Sequence, residues 1–293
     1  MTLAASAASA AAAAVRFAIL TIGAPVLGTV LLAAIGRLVG ARWLLPPLPP
    51  VAIRLLIPAA ALLGVVQLAT PAPPHLAIWM HPLAVGVRAV LATGVLAYAG
   101  ARLAGGASAS FAAVTLALYA LLVTPLASDW LLGHVPGHAV SAAGMMLCVE
   151  QIAGAGALIL ASGRGDVRTR RDMAGLTVAA ALGLGYLTYV DYLILWFGNL
   201  PARVGFYVVR AAWPAAGLAW FALLAGLVAP LALLAWRGAS GQRAAGVAVL
   251  LGLLAFNGWW VGGGMIALAL GSAVAAGIVG IAAWQGEGAH DRA

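Results

Sequence analysis

Charged residues are scarce in this 293-residue chain, and lysine is absent. Only 8% of the residues are charged, 65% are hydrophobic, and all 15 basic side chains are arginines. A soluble domain carries about 25% charged residues, so this chain has too few polar side chains to cover a globule in water. The shortage excludes a soluble protein and indicates one whose solvent is lipid.

Cysteine and cofactor motifs are equally scarce. The single cysteine, Cys148, excludes a disulfide within the chain and a cysteine-ligated iron–sulfur cluster. No histidine pair is placed within the apolar segments to hold a haem, and no metal-ligand spacing, Walker motif or dinucleotide-binding motif is present. We therefore expect no directly bound cofactor or metal. We also expect no nucleic-acid partner, because the arginines lie in loops between apolar segments, where they indicate membrane topology.

Long apolar segments occupy most of the chain. A membrane-spanning helix needs about 20 apolar residues, and nine segments qualify, with Gly, Pro and Arg between them. They cover roughly 15–36, 51–69, 82–104, 109–127, 138–162, 173–197, 213–236, 244–262 and 265–284. Eight spans result if the last two form one bent helix.

This pattern predicts an all-α, polytopic bundle of about nine transmembrane helices in the lipid bilayer. Residues 15–284 would form a single integral membrane domain. Residues 1–14 are expected to be a disordered or frayed N-terminus, and residues 285–293 a cytoplasmic tail.

Arginines are distributed unevenly between the two ends of the predicted spans. Cytoplasmic loops carry an excess of arginine, so we expect a bacterial inner-membrane protein with a cytoplasmic C-terminus and a periplasmic N-terminus. Three arginines lie on the predicted outer side: Arg16, Arg203 and Arg210. Eleven lie on the other side: Arg37, Arg42, Arg54, Arg102, Arg164, Arg168, Arg170, Arg171, Arg237, Arg243 and Arg292.

Ionisable side chains within the spans are few, and each is a candidate functional residue. Glu150 lies about 12 residues, roughly 18 Å, into its span from the outer side, whereas Asp191 and Arg88 lie roughly 9 Å from that side. Burial favours the neutral form of a carboxyl group, which can then exchange protons. Asp191, Glu150, Arg88 and tyrosine hydroxyls such as that of Tyr189 are therefore the candidates for a proton path. The alternative is structural: an Arg88–Asp191 ion pair, and a Glu150 bonded to a neighbouring helix.

Two further polar stretches lie near the predicted outer side. Tyr186, Tyr189 and Tyr192 recur every three residues and drift slowly around one side of a helix. They either line a quinone head-group cavity or pack against neighbouring helices. Asp129 and His134 lie in an outer loop that relays protons from a quinol, docks a periplasmic partner, or only caps a helix.

The segments that carry these residues resemble one family. The stretches "ASDWLLGHVPGHAVSAAGMML" (127–147) and "RDMAGLTVAAALGLGYLTYVDYLILWFGNLPARVGFYVVR" (171–210) are similar to two parts of the ActF subunits of alternative complex III. The first is similar to their Asp-Trp outer loop, and the second to their next, aromatic-rich helix. The Trp-x-x-Asn-x-Pro end of that helix corresponds to Trp196, Asn199 and Pro201. The resemblance departs at Ala202-Arg203, where the family usually has an acidic pair.

This resemblance implies a function. The family belongs to the polysulfide-reductase (NrfD-like) membrane subunits, which are built on four-helix bundles and associate with subunits that carry haem and iron–sulfur clusters. It implies a subunit without a redox centre in a quinol:electron-acceptor oxidoreductase, one that supports the quinol site or proton translocation. A quinol would then bind at a subunit interface. A secondary transporter and a structural or assembly membrane subunit are the alternatives. The residues expected near the quinone or a partner are Asp129, His134, Tyr186, Tyr192 and Asn199.

Overall fold

The computed structural model describes most of the chain as helices and short connections. The described residues are 3–41, 44, 50–69, 72–133, 135, 138, 140–163, 166–199, 201–235, 238–262, 268–269 and 271–272. No β-strand occurs among them, which confirms the predicted all-α class for this part of the chain.

Ten α-helices follow one another through the described residues. They are α1 (Leu3–Val39), α2 (Pro50–Val66), α3 (Pro82–Ala104), α4 (Ala109–Ala127), α5 (Ala143–Ser162), α6 (Val167–Phe197), α7 (Pro201–Arg210), α8 (Ala215–Leu223), α9 (Ala229–Ala235) and α10 (Ala239–Val261). A π-helical turn, Ser128–Leu132, continues α4, and a second, Leu224–Val228, joins α8 to α9. Two 3₁₀ turns, Gln67–Ala69 and Pro74–Leu76, follow α2.

Among the described residues, seven helical segments are long and apolar enough to cross a membrane. They are Ser9–Val39, Pro82–Ala104, Ala109–Leu132, Ala143–Ser162, Val167–Phe197, Ala215–Leu234 and Ala239–Val261. Helix α2 is also apolar but shorter, at 17 residues. The predicted ninth span, 265–284, lies largely outside the described residues. The prediction of a multi-pass helical membrane protein is confirmed.

Two helix boundaries differ from the prediction. Helix α1 begins at Leu3, and Ala12 and Ala14 are buried, so the stretch expected to be frayed continues the first helix. Helix α10 ends at Val261, because Gly262 adopts a left-handed conformation with φ of 65°. Residues 263–267 lie outside the described residues, so the choice between eight and nine spans stays a prediction.

Helices α1, α5 and α10 form the buried centre of the bundle, and the other helices pack around them. At the crossing of α1 and α5 the backbones touch. A Cβ atom added at Gly28 would lie 1.8 Å from the carbonyl oxygen of Gln151, and one at Gly154 would lie 3.0 Å from the nitrogen of Pro25. Small residues permit this approach, and van der Waals packing then holds the membrane helices together.

Arginine-rich segments meet at one end of the bundle, which we call the predicted inner end. The guanidinium of Arg243 covers Gly163, and Arg170 Nε donates to Gln242 Oε1 at 3.4 Å. The opposite end, which we call the predicted outer end, gathers the start of α3, the ends of α4, α6 and α10, and helix α7. Which side of the membrane each end faces stays a prediction.

Candidate functional site

Asp129 forms an ion pair at the predicted outer end. The π-helical turn that continues α4 places its side chain in the interior of the bundle, where it is buried. Arg88 of α3 binds the carboxylate in a bidentate manner. Its Nη2 lies 2.7 Å from Oδ1 and its Nε lies 3.1 Å from Oδ2. Arg88 also donates to the Trp79 carbonyl at 2.7 Å and stacks over the Trp79 ring. A bidentate ion pair is strong and geometrically specific.

A second guanidinium, that of Arg16 on α1, approaches the same turn. Arg16 Nη1 donates to the Asp129 backbone carbonyl at 3.2 Å, and Nη2 donates to Gln67 Oε1 at 2.8 Å. We call Arg16, Gln67, Arg88 and Asp129 the Asp129 cluster. Arginine stays protonated throughout the physiological range, so two permanent positive charges face one carboxylate.

The Arg88–Asp191 ion pair of the structural alternative is wrong. Arg88 pairs with Asp129 instead, because α3 and α4 are joined by a short connection and pack side by side. Equal depth in the membrane allows an ion pair, but the identity of the neighbouring helix decides which carboxylate the guanidinium reaches.

Asp191 has partners of a different kind. The Tyr207 hydroxyl of α7 donates to Asp191 Oδ2 at 2.5 Å, and His138 Nε2 lies 3.2 Å from the same oxygen. The buried His138 ring stacks on Phe206, with 3.9 Å between ring centroids. We call Asp191, His138 and Tyr207 the Asp191 cluster. The imidazole and the phenol therefore meet at one carboxylate oxygen, Asp191 Oδ2.

Helix α7 carries Tyr207 to Asp191, and Arg210 fastens α7 to the end of α10. Arg210 Nε and Nη2 donate to the carbonyls of Trp259 and Trp260, at 2.9 and 2.8 Å. These carbonyls lie in the last turn of α10, where no helical N–H reaches them. Burial lowers the pKa of Arg210 to about 10, so it remains charged at neutral pH. Burial, followed by the hydrogen bond to Asp191, raises the pKa of Tyr207, so its hydroxyl remains a donor.

A cavity of about 250 Å³ adjoins the Asp191 cluster between α6, α8 and α10. Most of its lining is apolar or small. Tyr207 both lines this cavity and donates to Asp191, so it joins the two features. The aromatic residues of the lining are Tyr189, Tyr192, Tyr207, Phe256 and Trp259.

The remaining predicted residues near this end have different surroundings. Tyr192 stacks on Trp196, whereas the Tyr186 side chain is about two-thirds exposed and lies outside the cavity lining. Asn199 is exposed and adopts a left-handed conformation, with φ of 47°, in the turn between α6 and α7. Asparagine tolerates that conformation, so Asn199 shapes the turn. His134 lies outside the described residues.

Glu150 is completely buried in the centre of the bundle. It lies seven residues after the start of α5 at Ala143, or about 10 Å along the axis, and is therefore nearer the predicted outer end than the sequence indicated. Its carboxyl group faces the Asn257 amide of α10, yet neither oxygen has a hydrogen-bond partner among the described residues. The adjacent Gln151 accepts a hydrogen bond from the Tyr119 hydroxyl at 2.7 Å.

Trp260 stands between the two outer clusters. Its Nε1 donates to the Leu131 carbonyl at 2.8 Å, and its ring lies 5.9 Å from that of His138. Asn257 precedes Trp260 by three residues on the same helix and lies about 4.5 Å deeper along the helix axis. Helix α10 therefore connects the level of the Asp191 cluster with the level of Glu150.

Several polar residues of these clusters were not among the predicted site residues. His138 lies in a loop, Tyr207 in a short helix after the Asn-x-Pro turn, and Asn257 beside a Trp pair. Each is an isolated polar residue in an apolar stretch, which is a weak signal until its partner is known. Arg16 was predicted only as a topology signal.

No protein-family model matches the chain, and the comparison with curated proteins gave no match. Its function has to be inferred from the two outer clusters, from Glu150 and from the aromatic-lined cavity.

Proposed function

We propose that this chain is an integral membrane subunit of a quinol-oxidising respiratory complex of the alternative complex III type. In this proposal it has no redox centre of its own, and it supports the quinol site and receives protons. Partner membrane and periplasmic subunits carry the haem and iron–sulfur groups. The resemblance of 127–147 and 171–210 to ActF subunits supports the class of complex.

The observation that carries this proposal is the Asp191 cluster beside the aromatic-lined cavity. A carboxylate, an imidazole and a phenol share one oxygen of Asp191, and the phenol of Tyr207 also lines the cavity. Oxidation of a quinol to a quinone releases two electrons and two protons. The electrons pass to the redox groups of the partner subunits, and the protons need a base within hydrogen-bond reach.

Glu150 would be a second proton station. It lies deeper than the Asp191 cluster, and Asn257 and Trp260 lie between the two on α10. Glu150 has no ion-pair partner among the described residues, and a carboxyl group can take up a proton and release it again.

Mild purification from native membranes tests the proposal. We expect the chain to co-purify with subunits that show haem absorption and contain iron–sulfur clusters, and the assembly to oxidise a quinol. A chain that purifies as a monomer and transports a solute after reconstitution would overturn the proposal in favour of a secondary transporter.

Replacement of Glu150 by Gln separates proton handling from a purely structural role. We expect the Glu150→Gln complex to assemble with its partners but to lose proton translocation or quinol turnover. Unchanged turnover and unchanged proton release in an intact Glu150→Gln complex would remove Glu150 from the mechanism and favour a structural or assembly subunit.

A further inference from the structure

A second cavity, of about 230 Å³, lies between α1 and α10 and is distinct from the aromatic-lined cavity. Thr21, Ala24 and Pro25 of α1 line one side. Asn257 and several leucines of α10 line the other. Its polar lining comes from Thr21 and Asn257, the latter being the residue that faces Glu150.

Polar side chains lie in this cavity and beside it. The Thr21 hydroxyl, both polar atoms of the Asn257 amide and both oxygens of Glu150 have no hydrogen-bond partner among the described residues. Asn257 and Glu150 are fully buried. Buried polar groups are nearly always satisfied by protein, water or an ion, and each one left unsatisfied costs about 1–3 kcal/mol. Thr21 and Asn257 line the cavity and Asn257 faces Glu150, so these neighbouring polar groups indicate a ligand.

Pro25 adds another oxygen to this region. Proline has no N–H, so the carbonyl of Thr21, four residues earlier, loses its usual helical donor. Helix α5 touches α1 at this point, since a Cβ atom at Gly154 would lie 3.0 Å from the Pro25 nitrogen. Gly154 is one turn from Glu150, so the α1–α5 crossing brings the carboxyl group towards Thr21.

The chemistry of these atoms selects the ligand. Thr21 and Asn257 provide neutral oxygens, and Glu150 provides one negative charge. Small hard cations bind such oxygens. One carboxylate neutralises one positive charge, and no ion pair with Glu150 occurs among the described residues, so a monovalent cation leaves no net charge in the interior. A water molecule occupies about 30 Å³, so the cavity also has room for water that completes the coordination.

We propose that Thr21, Glu150 and Asn257 bind a sodium ion in the interior of the bundle. The ion would neutralise the Glu150 carboxylate, and water in the adjacent cavity would supply its remaining ligands. A proton and a sodium ion then compete for the same carboxylate. The site shares Glu150 with the proposed proton route but has no residue in the Asp191 cluster, so sodium binding is tested separately from quinol oxidation.

Salt-specific stabilisation of the purified full-length chain tests the site. The midpoint of thermal unfolding is measured in detergent with NaCl, KCl or choline chloride at equal ionic strength. A ligand that binds only the folded state raises the midpoint in a saturable way. We expect NaCl alone to produce this rise, and the apparent sodium affinity to fall at acidic pH.

Variants locate the effect. Glu150→Gln is expected to abolish the sodium response, and Thr21→Val, which keeps the side-chain shape, to weaken the apparent affinity about tenfold. Asp191→Asn is the matched control, because it removes a buried carboxylate elsewhere and retains the sodium response. If Glu150→Gln does not fold, the sodium response of Thr21→Val by itself tests the site. Equal midpoints in all three salts, or an undiminished sodium response in Thr21→Val, would overturn the proposal. Neither result bears on co-purification with redox subunits.

Discussion

The two clusters at the predicted outer end are built around the same residue type, an aspartate, and differ in what surrounds it. Asp129 faces two guanidinium groups, whereas Asp191 shares one carboxylate oxygen with an imidazole and a phenol. Trp260 lies between them and contacts both sides. The two aspartates therefore lie in the same part of the bundle but in different chemical environments.

This difference shows how the partner of a buried carboxylate sets its role. Arginine keeps its charge at any physiological pH, so the contacts of Asp129 with Arg88 and Arg16 join α4 to α3 and α1. Asp191 has no arginine partner among the described residues, and its partner Tyr207 lines the cavity, so Asp191 is the candidate proton acceptor. We therefore expect substitutions at Asp129 to act mainly on stability and substitutions at Asp191 to act mainly on turnover.

Loss of the Asp129 charge should have the largest effect. Asp129→Asn leaves the guanidinium groups of Arg88 and Arg16 facing a neutral amide, and breaking a buried pair costs about 3 kcal/mol of unfolding free energy. Equilibrium unfolding in detergent micelles measures it. Arg88→Lys keeps the charge but loses the bidentate geometry, so it should lower the unfolding free energy by less than Asp129→Asn does. An Asp129→Asn chain as stable as the wild type would contradict a structural role for this cluster.

Substitutions in the Asp191 cluster should change turnover more than stability. In the assembled complex, Asp191→Asn should lower quinol oxidation about 100-fold, the usual contribution of a positioned acid or base. Its unfolding free energy should fall by only about 1 kcal/mol. Tyr207→Phe should have a smaller effect on turnover, since the carboxylate and His138 remain. Steady-state turnover and unfolding are measured on the same variants, and normal turnover in an unstable Asp191→Asn variant would reverse the assignment.

Two glycines allow each cluster to be disturbed without changing a charge. A methyl group at Gly133 would lie 2.5 Å from the Asp129 carbonyl oxygen and 2.8 Å from Arg16 Nη1, so Gly133→Ala should cost about 2 kcal/mol through overpacking. Gly262→Ala imposes left-handed strain of about 1 kcal/mol beside Arg210. Thermal unfolding of both variants measures the costs.

Gly175→Ala is the control for these two variants. A Cβ atom there meets nothing within 4 Å, and alanine is the better helix former, so stability should stay equal or rise slightly. A Gly133→Ala chain that unfolds like Gly175→Ala would show that the contact between Arg16 and the Asp129 turn contributes little.

Asp166, at the predicted inner end and remote from both clusters, should give the smallest effect. Its carboxylate accepts a hydrogen bond from the Thr169 backbone N–H at 2.7 Å and caps α6, and this bond lowers the pKa of Asp166. The stabilisation is complete above the ordinary pKa of 3.8 and is lost as the pH falls through the lower folded value. Asp166→Ala should therefore be slightly less stable than the wild type at neutral pH, and the difference should shrink at acidic pH. Unfolding midpoints across pH values measure it, and quinol turnover should not change.

The contrast between Arg88 and Glu150 shows how far the sequence predicts such a site. The sequence identified both residues, because an ionisable group in an apolar segment stands out. It assigned the wrong partner to Arg88, since depth along a helix is local information and helix adjacency is not. The Asn257 that faces Glu150 could not be found for the same reason, because α5 and α10 are far apart along the chain. Asn199 was expected at the site, whereas its left-handed conformation explains its place in the turn.

The amino-acid sequence by itself indicated that the protein lies in lipid. It also determined the helical class and the approximate positions of the membrane segments. These properties follow from local hydropathy and from the length of helix needed to cross a bilayer. It also indicated which segments carry the arginines that meet at one end. Only the tertiary structure decided that Asp129 contacts Arg88 and Arg16, and that Asp191 contacts His138 and Tyr207. Partner choice depends on which helices pack together, and that packing is a property of the whole bundle.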